Sequence, residues 1–188
     1  MRRTADQARA DILKAAQQEF ARYGVDGARI DRIAKQAGAS KERLYTYFGD
    51  KQELFDQVIR QAVEQVHSAE RIEDDDLVAY AGQLVDHFLT HPENLRMLSW
   101  TRLEEQCERA LLLDTVAALQ ADKAEAVRRA QAAGRVDDGW DPAELLSLIM
   151  AIASYWATAS GPDPASTARY RATVEEAVRR IIEPKPNP

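Results

Sequence analysis

Residues 30–51 contain two short amphipathic segments separated by a tight turn, and this stretch constrains the fold most strongly. In the first segment the apolar residues recur at the i, i+3 and i+7 positions of one buried helix face. Only Gly38-Ala39-Ser40 separates it from the second segment, a connection too short for anything but a turn between helices. The stretch therefore predicts a helix-turn-helix, whose second helix has a polar outward face that suits a DNA groove. The apolar positions are Ile30, Ile33, Ala34 and Ala37 in the first helix and Leu44, Tyr45 and Phe48 in the second.

Charge is distributed unevenly along the chain. The formal net charge of −6 argues, taken alone, against a nucleic-acid partner. Residues 1–51 nevertheless hold eleven Lys and Arg against seven Asp and Glu, a net charge of +4, and the remainder holds fourteen against twenty-four, or −10. A basic N-terminal segment therefore precedes an acidic remainder, and only the basic segment is suited to binding phosphate.

Composition predicts a globular, cytoplasmic protein with neither a metal site nor a cofactor. The chain has 188 residues, of which 45% are hydrophobic, and this is enough for a sizeable core. No apolar run reaches the length of a transmembrane helix, and the N-terminus lacks the pattern of a secretory signal. One cysteine, Cys107, cannot form an intrachain disulfide, and three scattered histidines give no metal-ligand spacing.

The residue pattern predicts an all-α protein of about nine helices. Ala, Leu, Glu, Arg and Gln dominate, and β-branched alternation is nearly absent. The first helix is expected to begin at Thr4 and to end at Tyr23, with Gly24 as its terminator. Pro92 and Pro142 are placed to open two later helices. Besides these and the helix-turn-helix, helices are expected at residues 51–69, 77–90, about 110–133, through the very apolar 145–159, and at about 166–182.

The N-terminal part of the chain resembles the TetR family of bacterial transcriptional regulators. The residues that carry the resemblance are Tyr23-Gly24, Ile33-Ala34, Ala37-Gly38, Ser40, Leu44-Tyr45, Tyr47-Phe48, Lys51 and Leu54. Beyond them only the helical architecture is similar. The resemblance implies a three-helix DNA-binding head over residues 1–50. It also implies a helical body over residues 51–188 that binds a small ligand and forms a homodimer.

The resemblance implies that the third helix enters the DNA major groove, while the first turns of the second and fourth helices contact phosphates. Lys41 and Arg43 supply donors for base edges or phosphates, and Thr46 can contact a base edge or a thymine methyl group. Lys51 opens the fourth helix, so its ammonium and the helix dipole can act on the same phosphate. The expected DNA contacts are Arg29, Ser40, Lys41, Glu42, Arg43, Tyr45, Thr46, Tyr47 and Lys51.

The head departs from the family pattern at one pair of residues and carries one carboxylate in an unexpected place. Ala28-Arg29 stands where family members commonly have threonines, so the usual hydroxyl cap of the second helix is absent. Arg29 either replaces the lost phosphate contact with a charged one or is a solvated surface residue. Glu42 is unexpected near phosphates. It either excludes wrong bases, accepts a hydrogen bond from a cytosine amino group, or fixes Lys41 or Arg43.

In the body, the last two helices offer more apolar surface than one protomer's core readily absorbs, which favours a two-fold dimer. The residues expected at its interface are Leu145, Leu148, Ile149, Ile152, Tyr155, Tyr170, Val174, Val178 and Ile181. Large or adaptable side chains in the body are candidates for a ligand pocket, although aromatic and Met residues at helical spacing are usually plain core. These candidates are Phe88, Met97, Trp100, Leu103, Cys107, Met150 and Trp156.

The leading hypothesis is a dimeric repressor that a small-molecule effector of unknown identity releases from a palindromic operator in double-stranded DNA. The alternative is an all-α protein-interaction module, whose basic head meets an acidic partner and leaves no operator footprint. An enzyme is the least supported hypothesis, because no nucleophile stands at a useful spacing from a base and no phosphate-binding loop occurs. No membrane partner is expected.

Overall fold

The computed structural model describes residues 4–69, 71–103, 109–159 and 164–184, and every regular element in these ranges is a helix. The all-α prediction is confirmed. The fourth and fifth helices occupy the predicted residues, and Pro92 and Pro142 each open a helix. The helices are α1 Ala5–Gly27, α2 Ile30–Ala37, α3 Lys41–Phe48, α4 Lys51–Ala69, α5 Leu77–Thr90, α6 Pro92–Leu103, α7 Arg109–Ala132, α8 Pro142–Ala159 and α9 Pro164–Ile182, with a short 3-10 helix at Glu73–Asp75.

Helix α1 is longer than the sequence predicts, because it kinks at Gly24 instead of ending there. At its start the Thr4 hydroxyl accepts the backbone N–H of Gln7, whose side chain accepts the N–H of Thr4 in return. At Gly24 φ is 65° and ψ is −173°, a combination that is essentially restricted to glycine. The ring of Trp100 covers the kink: its atoms lie 2.9 Å from the point where a Cβ on Gly24 would stand, and its indole N–H donates to the Ala21 carbonyl at 3.3 Å.

The chain divides into two compact units, each built from two stretches of sequence. The first unit comprises residues 1–64 and 96–113, and the second comprises residues 65–95 and 114–188. In the first unit Phe20 and Phe55 meet edge to face, with 5.2 Å between their ring centroids. The functional division at residues 50 and 51 stays a prediction. Buried apolar side chains of the first unit include Ile12, Phe20, Ile33, Leu44, Phe48, Leu54 and Phe55.

In the second unit α5 packs against both α8 and α9. Gly82 allows the close approach of α9, because a Cβ at this position would collide with Arg171 and Glu175. The hydroxyl of Tyr170 donates to the carbonyl of Ala153 at 2.7 Å and so joins α9 to α8. These three helices therefore share one core.

That core uses much of the apolar surface that the sequence assigned to a dimer interface. Packing against α5 buries five of the nine predicted interface residues within the protomer, which removes them from contact with a partner. Dimerisation through α8 and α9 stays a prediction that rests on the other four. The buried residues are Leu145, Ile149, Tyr170, Val174 and Val178; Leu148, Ile152 and Ile181 are half-buried, and Tyr155 is 67% exposed.

No helix in the described ranges is both long enough and apolar enough to span a bilayer. The same ranges contain no group of three or more His, Cys, Asp or Glu side chains placed to hold a metal ion.

Candidate nucleic-acid interface

The turn between α2 and α3 is fixed by local signals at both of its ends. Gly38 ends α2 in the left-handed conformation, with φ at 61° and ψ at 38°. The N–H of Ala39 then donates to the carbonyl of Ala34 at 2.9 Å. On the other side of the turn the hydroxyl of Ser40 accepts the N–H of Arg43 at 3.2 Å and caps α3. The predicted helix-turn-helix is therefore present.

One face of α3 is anchored in the core of the first unit. Leu44 and Phe48 are buried, and the ring of Tyr47 meets that of Phe48 edge to face at 6.2 Å between centroids. The guanidinium of Arg9, on α1, lies 5.4 Å from the centroid of Phe48. These contacts fix the rotation of α3 about its own axis.

The opposite face of α3 is open to solvent and carries most of the predicted DNA contacts. Lys41 forms an ion pair with Asp31 of α2, while its side chain stays about half exposed. The hydroxyl of Thr46 donates to the carbonyl of Glu42 at 2.7 Å, and this bond orients its methyl group. The exposed residues are Lys41, Glu42, Arg43, Tyr45 and Thr46, and Tyr47 is half-buried beside them.

Glu42 is tied to the N-terminus of its own helix. Hydrogen bonds from its own backbone N–H and from Ser40 lower the pKa of the Glu42 carboxyl, and the Lys41 ammonium lowers it further. The carboxylate is thus stabilised in its ionised form at the start of α3. Lys41 also pairs with Asp31, so a second carboxylate acts on one of the two cations that Glu42 could fix.

The N-terminus of α2 lacks a side-chain cap of its own, as the Ala28-Arg29 pair predicts. The carboxylate of Glu19, on α1, takes this role: it accepts the backbone N–H of Arg29 at 2.9 Å and the Nε–H of Arg32 at 2.6 Å. Glu19 is only 6% exposed, and its hydrogen bond raises the pKa of the Arg32 guanidinium. The side chain of Arg29 is exposed and available for the predicted phosphate contact.

Sequence reasoning missed Glu19 and Arg32, although one signal for Glu19 was present. It falls three residues after Ala16 and seven after Ile12, on the stripe that faces the core. A carboxylate on a buried stripe needs a partner, since an unpaired buried charge is costly. Arg32 meets that need and also donates to the Gly27 carbonyl at 3.0 Å, tying α1 to α2.

At the start of α4 the carboxylate of Asp50 accepts the N–H of Glu53 at 2.8 Å and caps the helix. Lys51 is half-buried, and its ammonium lies 3.4 Å from the carbonyl of Asp26. Lys51 is the first residue of α4, as the sequence predicts. Its contact with phosphate stays a prediction.

The seven candidates for a ligand pocket have different surroundings. Phe88 and Met97 are buried, Met150 is half-buried, and Leu103 is 70% exposed. Trp100 packs on the Gly24 kink, which gives it a structural role in the first unit. Phe88 and Met150 belong to the second unit, whereas Met97, Trp100 and Leu103 belong to the first. Cys107 and the side chain of Trp156 lie outside the described residues.

A cavity that the sequence did not indicate lies in the second unit. Its volume is about 600 Å³, and it is lined by His67, Ser68, Arg71, Ile72, Ala118, Leu119, Asp122, Lys123, Glu125, Ala126 and Arg129. None of the five candidates whose side chains the structure describes contributes to it. The signal that could have located it is the basic residue Lys123 among apolar positions of α7.

Two stretches of the chain match known protein families. A profile described as "Bacterial regulatory proteins, tetR family" matches residues 12–58, and one described as "Tetracyclin repressor-like, C-terminal domain" matches residues 76–180. The HTH-type transcriptional repressor SCO4008 of Streptomyces coelicolor is 34% identical over 183 residues, 93% of this chain and 95% of the relative. The HTH-type transcriptional repressor NicS of Pseudomonas putida is 32% identical over 108 residues, 54% of this chain and 51% of the relative.

Solved structures agree in fold. The crystal structure of SCO4942 from Streptomyces coelicolor superposes with a TM-score of 0.77 at 38% identity, covering 93% of this chain and 98% of the other. A TetR family transcription regulator from Marinobacter aquaeolei VT8 reaches a TM-score of 0.74 at 19% identity, covering 92% of this chain and 95% of the other. At that lower identity the likeness concerns the fold alone.

Proposed function

This chain belongs to the TetR family of bacterial regulatory proteins, and on that premise we propose that it is a homodimeric repressor of a palindromic operator. It is a DNA-binding transcriptional regulator with an N-terminal helix-turn-helix. We propose in addition that α3 contacts the operator bases, that two protomers assemble as a dimer, and that a small molecule releases the dimer from DNA. We propose that it acts as a regulator and not as an enzyme. Because its operator would lie on the bacterial chromosome, it would act in the cytoplasm.

The observation that carries the proposal is the two-sided character of α3. Leu44 and Phe48 fix one side in the core, while Lys41, Arg43 and Thr46 are exposed on the other. A short helix held rigidly with donors on its outer face suits the DNA major groove, where Arg and Lys donate to guanine acceptors and threonine methyl groups meet thymine. Arg29 and Lys51, at the N-termini of α2 and α4, are suited to phosphates on either side.

A palindromic operator follows from a two-fold dimer, since each protomer then presents the same α3 to a half-site. Half-sites one helical turn apart have centres about 34–36 Å apart. The exposed ring of Tyr155 and the half-buried Leu148 and Ile152 supply apolar surface on α8 for the interface. An effector in the second unit that binds better to a state with a different spacing of the two α3 helices would release the operator.

The test is binding of the full-length protein to a labelled duplex covering the region upstream of its own gene, with a footprint to locate the operator. We expect Arg43→Ala to weaken binding at least about tenfold, the size of a lost bidentate base contact. Lys41→Ala should weaken it less, because Asp31 already neutralises part of its charge.

Lys14→Ala is the matched control, since it removes a positive charge from an exposed position on α1, outside α2 and α3. It should leave affinity within about twofold, and Arg43→Ala should reduce the salt dependence by about one counterion. Binding that is indifferent to both Lys41→Ala and Arg43→Ala, or the absence of any footprint, overturns the proposed function.

A further inference from the structure

The two cations on the exposed face of α3 have different surroundings. The ammonium of Lys41, the first residue of α3, forms an ion pair with the carboxylate of Asp31 on α2. The guanidinium of Arg43 forms no ion pair within the described ranges, and its side chain is exposed. Arg43 can therefore meet any acceptor on DNA, whereas Lys41 already has an anionic partner.

Asp31 is the second residue of α2, and its role in the fold is small. It does not cap the helix, because the carboxylate of Glu19 accepts the N–H of Arg29 there. The side chain of Asp31 is 64% exposed, and an ion pair between two exposed side chains contributes little to stability. The pair therefore acts mainly on the electrostatics of the face that α3 presents.

A second carboxylate near Lys41, that of Glu42, is held at the start of its own helix. It accepts hydrogen bonds from Ser40 and from its own backbone N–H, and these bonds lower the pKa of Glu42 more than the Lys41 ammonium does. The carboxylate that forms an ion pair with Lys41 is that of Asp31. The position of the ammonium is therefore set from α2.

A carboxylate beside a lysine acts differently on the two kinds of acceptor that DNA offers. A phosphate is an anion, so the carboxylate repels it and competes with it for the ammonium. Guanine O6 and N7 are uncharged acceptors, and an ammonium with three donors can bond to one of them without leaving the carboxylate. Such a pair weakens the binding of lysine to phosphate more than its binding to a base.

We propose that Asp31 is a specificity-determining residue, which directs Lys41 to a base edge of the operator and lowers the affinity for DNA of other sequences. Asp31 acts through Lys41, so it is a positioning residue. This role rests on the proposed function, because it concerns how the operator is distinguished from other DNA.

The test compares Asp31→Asn with wild type on two labelled duplexes, the footprinted operator and a scrambled duplex of the same length and composition. Asp31→Asn should raise affinity for the scrambled duplex about fivefold and steepen its salt dependence by about one counterion, because Lys41 becomes able to bind phosphate. Affinity for the operator should stay within about twofold, because the loss of Lys41 positioning offsets the gain in attraction. The preference for the operator should therefore fall.

A panel of operators with single base-pair substitutions gives a readout that a merely structural role of Asp31 would not change. Lys41→Ala identifies the base pair that Lys41 contacts, because discrimination is lost there. Asp31→Asn should lower discrimination at the same base pair at least about threefold and leave the other positions within about twofold. Asp31→Glu keeps the charge and should restore the wild-type preference.

Glu64→Gln is the matched control, because it removes a carboxylate charge from an exposed position of the same unit. Glu64 lies on α4, about 20 Å along the helix from Lys51. The variant should leave both affinities within about twofold. Thermal unfolding and stoichiometric titration with the operator verify that each variant is folded and fully active.

Equal gains in affinity for the two duplexes overturn the inference, because they identify Asp31 as a general surface charge. Loss of discrimination spread evenly over the operator, or no base pair at which Lys41→Ala loses discrimination, overturns it as well. In each of these cases wild type still prefers its operator, and the proposed function stands. A wild-type protein that binds the two duplexes equally overturns the proposed function and this inference with it.

Discussion

Glu19 in the first unit and His67 in the second both bury hydrogen-bonding atoms, but they differ in how fully those atoms are paired. The carboxylate of Glu19 accepts from the backbone of Arg29 and from the guanidinium of Arg32. The Nδ1 atom of His67 has no partner among the described residues. Both polar groups lie in low-dielectric surroundings. They therefore differ in whether their hydrogen bonds are made, and not only in how deeply they are buried.

The difference separates a polar group that maintains the fold from one whose hydrogen bond is left unmade. Glu19 joins α1 to the N-terminus of α2 and so helps to hold the helix-turn-helix in one arrangement. His67 contributes no comparable bond through Nδ1 to its own unit, and it lies at a cavity. Removal of Glu19 should therefore lower the free energy of unfolding. The unpaired His67 already lowers it, and protonation of the ring in acid should lower it further.

The largest effect is expected from Glu19→Ala. The substitution removes the cap of α2 and the charge-assisted bond to Arg32 and leaves a gap in a buried stripe. We expect the free energy of unfolding to fall by about 3 kcal/mol, as when one partner of a buried pair is removed. Chemical denaturation monitored by circular dichroism measures it.

Glu19→Gln keeps a side-chain acceptor for the Arg29 N–H and should recover about half of the loss. Gln18→Ala is the neighbouring control, because it removes an exposed hydrogen bond between α1 and α2, the one that Gln18 accepts from Gln36. A cost for Glu19→Ala no greater than that for Gln18→Ala would mean that Glu19 is not a structural partner of α2.

An intermediate effect is expected from the titration of His67. Its pKa is about 4 in the folded protein and about 6.5 when unfolded, so the unfolded chain takes up the proton first as the pH falls. Stability should therefore decrease between pH 6.5 and pH 4, by about 2 kcal/mol after allowance for the partly exposed ring. Urea denaturation across this pH range measures the slope.

His67→Gln should flatten this part of the profile relative to wild type. His91→Gln, which alters an exposed histidine of the same unit, should leave it in place. An unchanged slope in His67→Gln would assign the pH dependence to other groups and remove the contrast with Glu19.

The sequence predicted features that neighbouring residues determine and missed those that depend on contacts between residues far apart along the chain. Gly38 and Ser40 act within a few residues, and they placed the ends of α2 and α3 correctly. Glu19 bonds to a backbone N–H ten residues away, and Trp100 to a carbonyl 79 residues away. Such contacts depend on how helices pack, which the periodicity of a single helix does not specify. The cavity escaped prediction for the same reason.

The smallest effect is expected from Ser40→Ala. Comparing the exposed Ser40 cap of α3 with the buried Glu19 cap of α2 separates the contribution of the hydrogen bond from that of burial. Ser40 and Glu19 each accept a backbone N–H at a helix start, but Ser40 is exposed and acts on its own helix. Water can replace an exposed cap, so we expect a loss of about 1 kcal/mol in the free energy of unfolding. Ser40→Asp keeps an acceptor and adds a charge that favours the α3 N-terminus, so it should restore stability. A cost for Ser40→Ala equal to that of Glu19→Ala would show that the cap bond, and not the burial of Glu19 with Arg32, sets the stability of this region.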